Sequence, residues 1–229
     1  MGLTEGHQAK TVWENPAEII RALAPENPVM VFAPTILQAR AKEFLAGFPG
    51  LVTYAVKSNP DEAVIQNLVA AGIRGFDVAS PYEIDLIGRT AKEAFGDDAP
   101  ELVCEPGRGL CADAFAIITR VKAVRDGTSV FLNDGVYGGM NELPVIGNLG
   151  RLEVLTPEGK LPGENGLGRV VFGPTCDSVD RLPGELSLPD DIQEGDYVIF
   201  HGAGAYSVVT NTRFNGFGEL RQLTVMGFD

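Results

Sequence analysis

Basic residues are scarce in this 229-residue chain: 18 Lys and Arg stand against 31 Asp and Glu, leaving a net charge of −13. So acidic a surface repels phosphate backbones and anionic headgroups. Neither nucleic acid nor a membrane is therefore expected as a partner, whereas a cationic small molecule would suit it. Cysteine is scarce too. Cys104, Cys111 and Cys176 are odd in number and lack metal-ligand spacing, so no metal site is expected. No apolar run approaches the roughly 20 residues that span a bilayer. The opening Met1-Gly-Leu-Thr-Glu-Gly-His lacks the basic start and apolar stretch of a secretory signal. Together these absences point to a soluble, cytoplasmic protein of a reducing compartment.

What is present has an ordinary globular balance, 45% hydrophobic and 21% charged, enough for one large domain or two modest ones. Asn15-Pro16 ahead of Ile19, Ile20 and Leu23 reads as a capped short helix with proline at its first position. Met30-Val-Phe is a short apolar strand candidate, and residues 37–45 carry apolar residues at helical spacing. An alternation follows: strand at 51–56, helix at 61–71, strand at 75–79, helix at 82–95, strand at 102–104. That order means βα units and a parallel sheet.

Beyond Arg108 the texture changes. The β-rich run 115–125 is followed by Asp126-Gly127 and a second run at 128–132, a strong hairpin signal. Further strand candidates at 151–155, 169–172, 196–200 and 220–225 are punctuated by glycine and proline. The fold class expected is α/β plus β. Residues 25–110 would form a partial (β/α) portion, 111–229 a mostly antiparallel β domain, and 1–24 an N-terminal helix and arm.

Several segments could carry chemistry, each with a plainer explanation beside it. Tyr54-Ala-Val-Lys57-Ser-Asn-Pro60 puts a lysine at the carboxyl end of a strand, where parallel barrels keep their reacting groups. A desolvated lysine there can form a Schiff base with an aldehyde; one that merely caps the strand explains the segment at least as well. Asp77 ends the next strand in Gly75-Phe-Asp-Val-Ala-Ser80, where a turn or helix cap would suffice. In Glu105-Pro-Gly107-Arg108, Glu105 could protonate a pyridine nitrogen, Gly107 admit an anion and Arg108 contact a phosphate. A turn with a surface ion pair fits equally. Gly204-Ala-Tyr206 could close on a phosphate or simply pack. Cys176-Asp177 could set a general acid beside an ammonium-binding carboxylate, although a small buried hydrophobe explains Cys176 as well. Asp134 in Asn133-Asp134-Gly135 could be a turn residue.

The ordered set is more specific than any member. Tyr54-Ala-Val-Lys57-Ser-Asn, Phe76-Asp77-Val-Ala-Ser80, Glu105-Pro-Gly-Arg108, Asn133-Asp-Gly-Val-Tyr-Gly138, Cys176-Asp-Ser-Val-Asp180, Gly204-Ala-Tyr206 and Phe214-Asn-Gly-Phe217 occur in this order. The series resembles the alanine-racemase-fold, pyridoxal-phosphate (PLP) dependent amino-acid decarboxylases. Cys176-Asp177 is similar to the ornithine/lysine branch, whereas diaminopimelate enzymes usually carry Cys-Glu there. The resemblance implies a Schiff-base lysine at Lys57 supported by Asp77, and a pyridinium partner at Glu105. It implies a phosphate site at Gly107, Arg108 and Tyr206, and a proton donor at Cys176. Asp134 and Asp177 would hold the distal ammonium of a basic amino acid, one from each subunit of a homodimer with shared active sites. Ornithine, converted to putrescine for polyamine synthesis, is the substrate it implies first.

The chain departs from that family in the middle. Lys57 to Asp77 and Asp77 to Glu105 are each about one βα unit apart, given ~30 residues per βαβ unit. The family's cofactor-stacking His-x-Gly-Ser segment and glycine-rich phosphate loop are absent. A closed (β/α)8 barrel takes about 250 residues, so a truncated barrel is expected, with impaired activity. Two alternatives stay open: a catalytically reduced homologue serving as a binding or regulatory protein, or a diaminopimelate, lysine or arginine decarboxylase.

Overall fold

A computed structural model describes residues 12–75, 103–147, 150–163 and 165–228. The chain enters as strand β1 (Val12–Trp13) and helix α1 (Pro16–Leu23). Asn15 caps α1 by accepting from the Glu18 amide at 3.0 Å, and Ala24 ends it with a left-handed φ of 38°. Strand β2 (Val29–Phe32) is buried along its whole length, and helix α2 (Pro34–Gly47) turns Leu37 and Ala41 inward. Strand β3 (Leu51–Val52) leads through a 3-10 turn at Val56–Ser58 into helix α3 (Glu62–Ala71). Asp61 caps α3 by accepting from the Ala63 amide at 2.7 Å, and Gly72 closes it at φ 110°.

Strand β4 (Val103–Cys104) runs into a one-turn helix α4 (Arg108–Cys111), and the eleven-residue β5 (Phe115–Arg125) and β6 (Ser129–Leu132) form a hairpin. A single turn α5 (Leu143–Ile146) precedes β7 (Leu152–Leu155), β8 (Gly166–Phe172), β9 (Leu186–Pro189), β10 (Tyr197–His201) and β11 (Arg221–Val225).

Among the described residues these strands make a nine-stranded mixed sheet and a separate parallel pair, β3 with β4. The main path runs β1-β11-β2-β5-β6-β8-β9, with β10 bridging β5 and β7. β5 is long enough to pair with β2 and β10 through its first half and with β6 through its second. The hairpin forms where Asp126-Gly127 stands, both residues having positive φ (52° and 63°). Nothing lies within 4 Å of a Cβ added at Gly127. Gly127→Ala should therefore cost only the left-handed backbone penalty, about 1–2 kcal/mol, read as a shift in the urea midpoint. A larger loss would mean the turn makes contacts beyond its own backbone.

The large sheet crosses the boundary expected near residue 110. Sheet membership does not change at residue 110, because β2 lies in the large sheet, antiparallel to β5 and parallel to β11. Val29, Met30, Val31 and Phe32 are all buried. A strand apolar on both faces needs covered faces and two hydrogen-bonded neighbours, and the later strands supply them. Ile19 and Ile20 of α1 pack in the same cluster as Val29, Ile118 and Ile199. The sheet is mostly antiparallel, as expected of 111–229, with β1–β11, β11–β2 and β6–β8 as parallel pairs within it. A second apolar cluster joins Leu37, Val52, Leu68 and Leu110 to Phe115, Val171 and Phe200, so the α/β portion and the sheet share one core.

Candidate functional site

Parallel strands end on the same side, and this rule assembles the first cluster. β3 pairs in parallel with β4, Val52 beside Cys104, and the Thr53 amide extends the ladder to the Cys104 carbonyl at 2.8 Å. On the other flank the Tyr54 amide reaches the Gly75 carbonyl at 2.8 Å. Lys57 and Ser58 follow β3, and Glu105, Gly107 and Arg108 follow β4, so both groups leave the parallel pair at its carboxyl end.

The segment after β10 locks onto them. The Asn59 amide side chain donates to the Gly204 carbonyl at 2.9 Å, and the Tyr206 amide donates to the Ser58 carbonyl at 2.6 Å. Tyr206 takes a positive φ of 68°, costly for a side chain of its size. Its ring lies 5.3 Å from the Arg108 guanidinium. Gly107 must be glycine for space: a Cβ there would stand 1.9 Å from Ser58 Oγ. Gly204 is tighter, since its Cβ would meet the Cys111 carbonyl oxygen at 1.8 Å. Lys57 is exposed, whereas Ser58 and Asn59 beside it are buried.

Beneath this rim, Tyr54 donates from its hydroxyl to the Asn59 carbonyl at 3.0 Å, and the Cys111 thiol lies 3.3 Å from the Gly107 carbonyl. Burial raises the Tyr54 pKa far above the usual phenol range and pushes the Cys111 thiol up to about 11. Both stay neutral supports. The Arg108 guanidinium is ion-paired with Glu142.

The second cluster is built from loops after β6, β8 and β10. Asp134 is buried, accepts from the Gly139 amide at 3.0 Å, and is fitted closely by Gly138 and Gly139. Desolvation pushes its pKa up to about 7 against the pull of the Gly135 and Gly139 amides, and the nearby charge of Asp180 adds to the rise. Asp180, also buried, ties two loops together. It accepts from the Val136 amide (3.0 Å), the Thr175 amide (3.0 Å) and the Thr175 hydroxyl (2.7 Å). Cys176 and Asp177 follow Thr175. Cys176 is exposed, with Asn215 Nδ2 at 3.9 Å from its sulfur, and half-buried Asp177 accepts from the Tyr137 hydroxyl at 3.0 Å. The Tyr137 ring packs against Phe214, centroids 4.5 Å apart.

The structure thus brings Lys57, Glu105, Gly107, Arg108 and Tyr206 into one neighbourhood and Asp134, Cys176 and Asp177 into another. Asp77 lies outside the described residues. The two are linked through the 133–142 loop, which carries Asp134 and Tyr137 at one end and Glu142 at the other. Sequence reasoning passed over Ser58, Asn59, Asp180 and Glu142. Asp180 stands three residues after Asp177, where an aspartate reads as an ordinary turn residue; Glu142 had no signal.

Comparison with known proteins follows the same outline. A family model described as pyridoxal-dependent decarboxylase, C-terminal sheet domain, matches residues 29–204. The ornithine decarboxylase of Schizosaccharomyces pombe is 32% identical over 147 residues, covering 60% of this chain and 34% of that protein. The chloroplastic ornithine decarboxylase of Nicotiana glutinosa is 33% identical over 150 residues, covering 61% and 34%. This chain therefore spans about a third of the length of these curated relatives. Among solved structures, the arginine decarboxylase of Paramecium bursaria Chlorella virus superposes with a TM-score of 0.72 at 18% identity, over 90% of this chain and 98% of that one. The lysine/ornithine decarboxylase from Vibrio vulnificus complexed with cadaverine gives 0.62 at 18%, over 92% and 99%. At such identities the structures speak for the fold.

Proposed function

The chain belongs to the pyridoxal-dependent decarboxylases, and from that premise we propose that its first cluster holds pyridoxal phosphate and its second completes a site for decarboxylating a basic amino acid, ornithine first. The observation that carries this is the convergence of Lys57-Ser58, Gly107-Arg108 and Gly204-Tyr206 through hydrogen bonds and glycine contacts. The residues fit the cofactor: an amine, a guanidinium, a phenol and a glycine without room for a side chain stand at one carboxyl end of parallel strands. We further propose that the 25–110 portion derives from a truncated barrel.

When bound, the cofactor supplies an electron sink for the bonding pair left behind as CO2 departs. In this reading Lys57 is its attachment point and Asp77 supports that lysine. Glu105 keeps the ring nitrogen protonated, and Gly107, Arg108 and Tyr206 hold the phosphate. The Cys176 thiol returns a proton to the carbon that lost CO2. Asp177 and Asp134 hold the distal ammonium, one from each subunit of a homodimer. Asp177 suits this role because the Tyr137 hydroxyl and the Val179 amide hold its two oxygens in place. A second carboxylate on the substrate would be repelled there, so ornithine or lysine should be preferred over diaminopimelate.

A reduced, non-catalytic role is the competing reading, favoured by the Arg108–Glu142 pair, which engages the phosphate-binding guanidinium. An absorbance titration with PLP tests the proposal. A visible band should appear only at excess cofactor and should be absent in Lys57→Ala. Without the family's stacking histidine and glycine-rich loop, CO2 release from labelled ornithine should fall below the usual range of about 1–1000 per second. A band that survives Lys57→Ala would sink the cofactor site. Turnover within that range would show the missing segment to be dispensable.

A further inference from the structure

Glu142 stands where a phosphate would compete with it. Its carboxylate is paired with the Arg108 guanidinium, and the two side chains are only 19% and 37% exposed. Nor is it a loose surface acid. The Met140 amide donates to Gly135, the Gly139 amide to Asp134, and the Glu142 carbonyl accepts from Val145 (2.9 Å) and Ile146 (3.0 Å). Leu143, the next residue, is buried. The acid is thus delivered to Arg108 by an ordered loop whose other end carries Asp134.

Arginine has five N–H donors in a fixed planar fork, and those given to a carboxylate are not available to a phosphate. Arg108 is further confined by the Tyr206 ring at 5.3 Å and by Gly107 pressed against Ser58, so it has little freedom to serve both anions. In a chain of net charge −13, a fixed carboxylate beside the anion site adds local repulsion to the general one. We propose that Glu142 is an internal competitor for the anion on Arg108 and sets the affinity of this site for phosphate-bearing ligands. The proposal rests on the reading of Arg108 as the phosphate contact.

If so, neutralising the acid should strengthen binding, an unusual direction for a substitution at a binding site. Calorimetric titrations of PLP, pyridoxal and inorganic phosphate into the wild-type chain, Glu142→Gln, Glu142→Ala and Arg108→Ala test it, with thermal melts to verify that each variant is folded. Glu142→Gln should bind PLP and inorganic phosphate about tenfold more tightly, the equivalent of one fewer charged competitor. Pyridoxal, which lacks the phosphate, should bind as before. Glu142→Ala should act in the same direction, which separates loss of charge from any property of glutamine.

Unchanged or weaker PLP binding in both Glu142 variants, with Arg108→Ala still weakening it, would overturn the competitor and leave Arg108 as the contact. Arg108→Ala with no effect on PLP or phosphate would overturn the site reading itself. Equal tightening of pyridoxal would also overturn the proposal, because the effect would then not run through the phosphate.

Discussion

Between pH 4 and pH 8 the folded protein should lose stability on the order of 4 kcal/mol through Asp134, because burial pushes its pKa from 3.8 up to about 7. The folded state holds the proton more tightly than the unfolded chain does. The contribution is therefore full below the unfolded value near 4 and is lost as pH rises through the folded value near 7. Urea midpoints measured across this range should fall with pH in the wild type and run much flatter in Asp134→Asn. A slope would remain in the variant, since burial also raises the Asp196 pKa. Identical pH profiles for the two proteins would refute the assignment. The same shift bears on function. An ammonium placed beside Asp134 favours its ionised form, so a basic amino acid bound there would expel a proton at pH 6, visible as a buffer-dependent heat of binding.

The second large effect is expected at Gly204. A methyl there would sit 1.8 Å from the Cys111 carbonyl oxygen and 2.7 Å from the Phe115 ring, against backbone and core that have no room to yield. Gly204→Ala should cost more than the about 1–3 kcal/mol of ordinary overpacking. It should also displace the carbonyl that receives Asn59, and with it Tyr206. We expect a protein that is largely insoluble or lacks a cooperative melt. A variant melting within a few degrees of wild type would mean that the α4 turn and the Gly202–Tyr206 segment are less closely apposed than described. Gly127→Ala is the internal contrast, a glycine required by its backbone angle alone.

These cases also mark what could be read from the chain. The Asp126-Gly127 turn, the Asn15 cap and the helix over 62–71 are local, written in residues a few positions apart, and they fold where the spacing puts them. That Lys57, Glu105 and Arg108 leave β3 and β4 at one end was legible because strand–helix alternation predicts a parallel sheet, and parallel strands present their ends together. The partner of β2 was not legible. A run such as Val29-Met-Val-Phe says that a strand is buried on both faces but not which strands bury it, and the answer lay nearly ninety residues downstream for β5 and further for β11. Glu142 was invisible for a related reason: an acid in a polar loop declares no partner until the loop is folded. Asp180 was quoted within a motif but given no role, since a buried aspartate that knits two loops looks in sequence like any turn residue.

β11 lies between β1 and β2, with Thr224 beside Val12 and Thr224 again beside Phe32. β1 and one margin of β2 thus wait for a strand some two hundred residues downstream before their sheet is complete. Until Arg221–Val225 are synthesised, β1 lacks its only partner among the described strands and one margin of β2 stays open, a surface inviting intermolecular pairing. Closing such distant pairings is slow compared with forming local hairpins. During translation the β5–β6 hairpin can form early, but the strand order on its β2 flank is settled only once β11 is available. A chain cut short before residue 221 should therefore aggregate rather than keep the rest of the sheet intact.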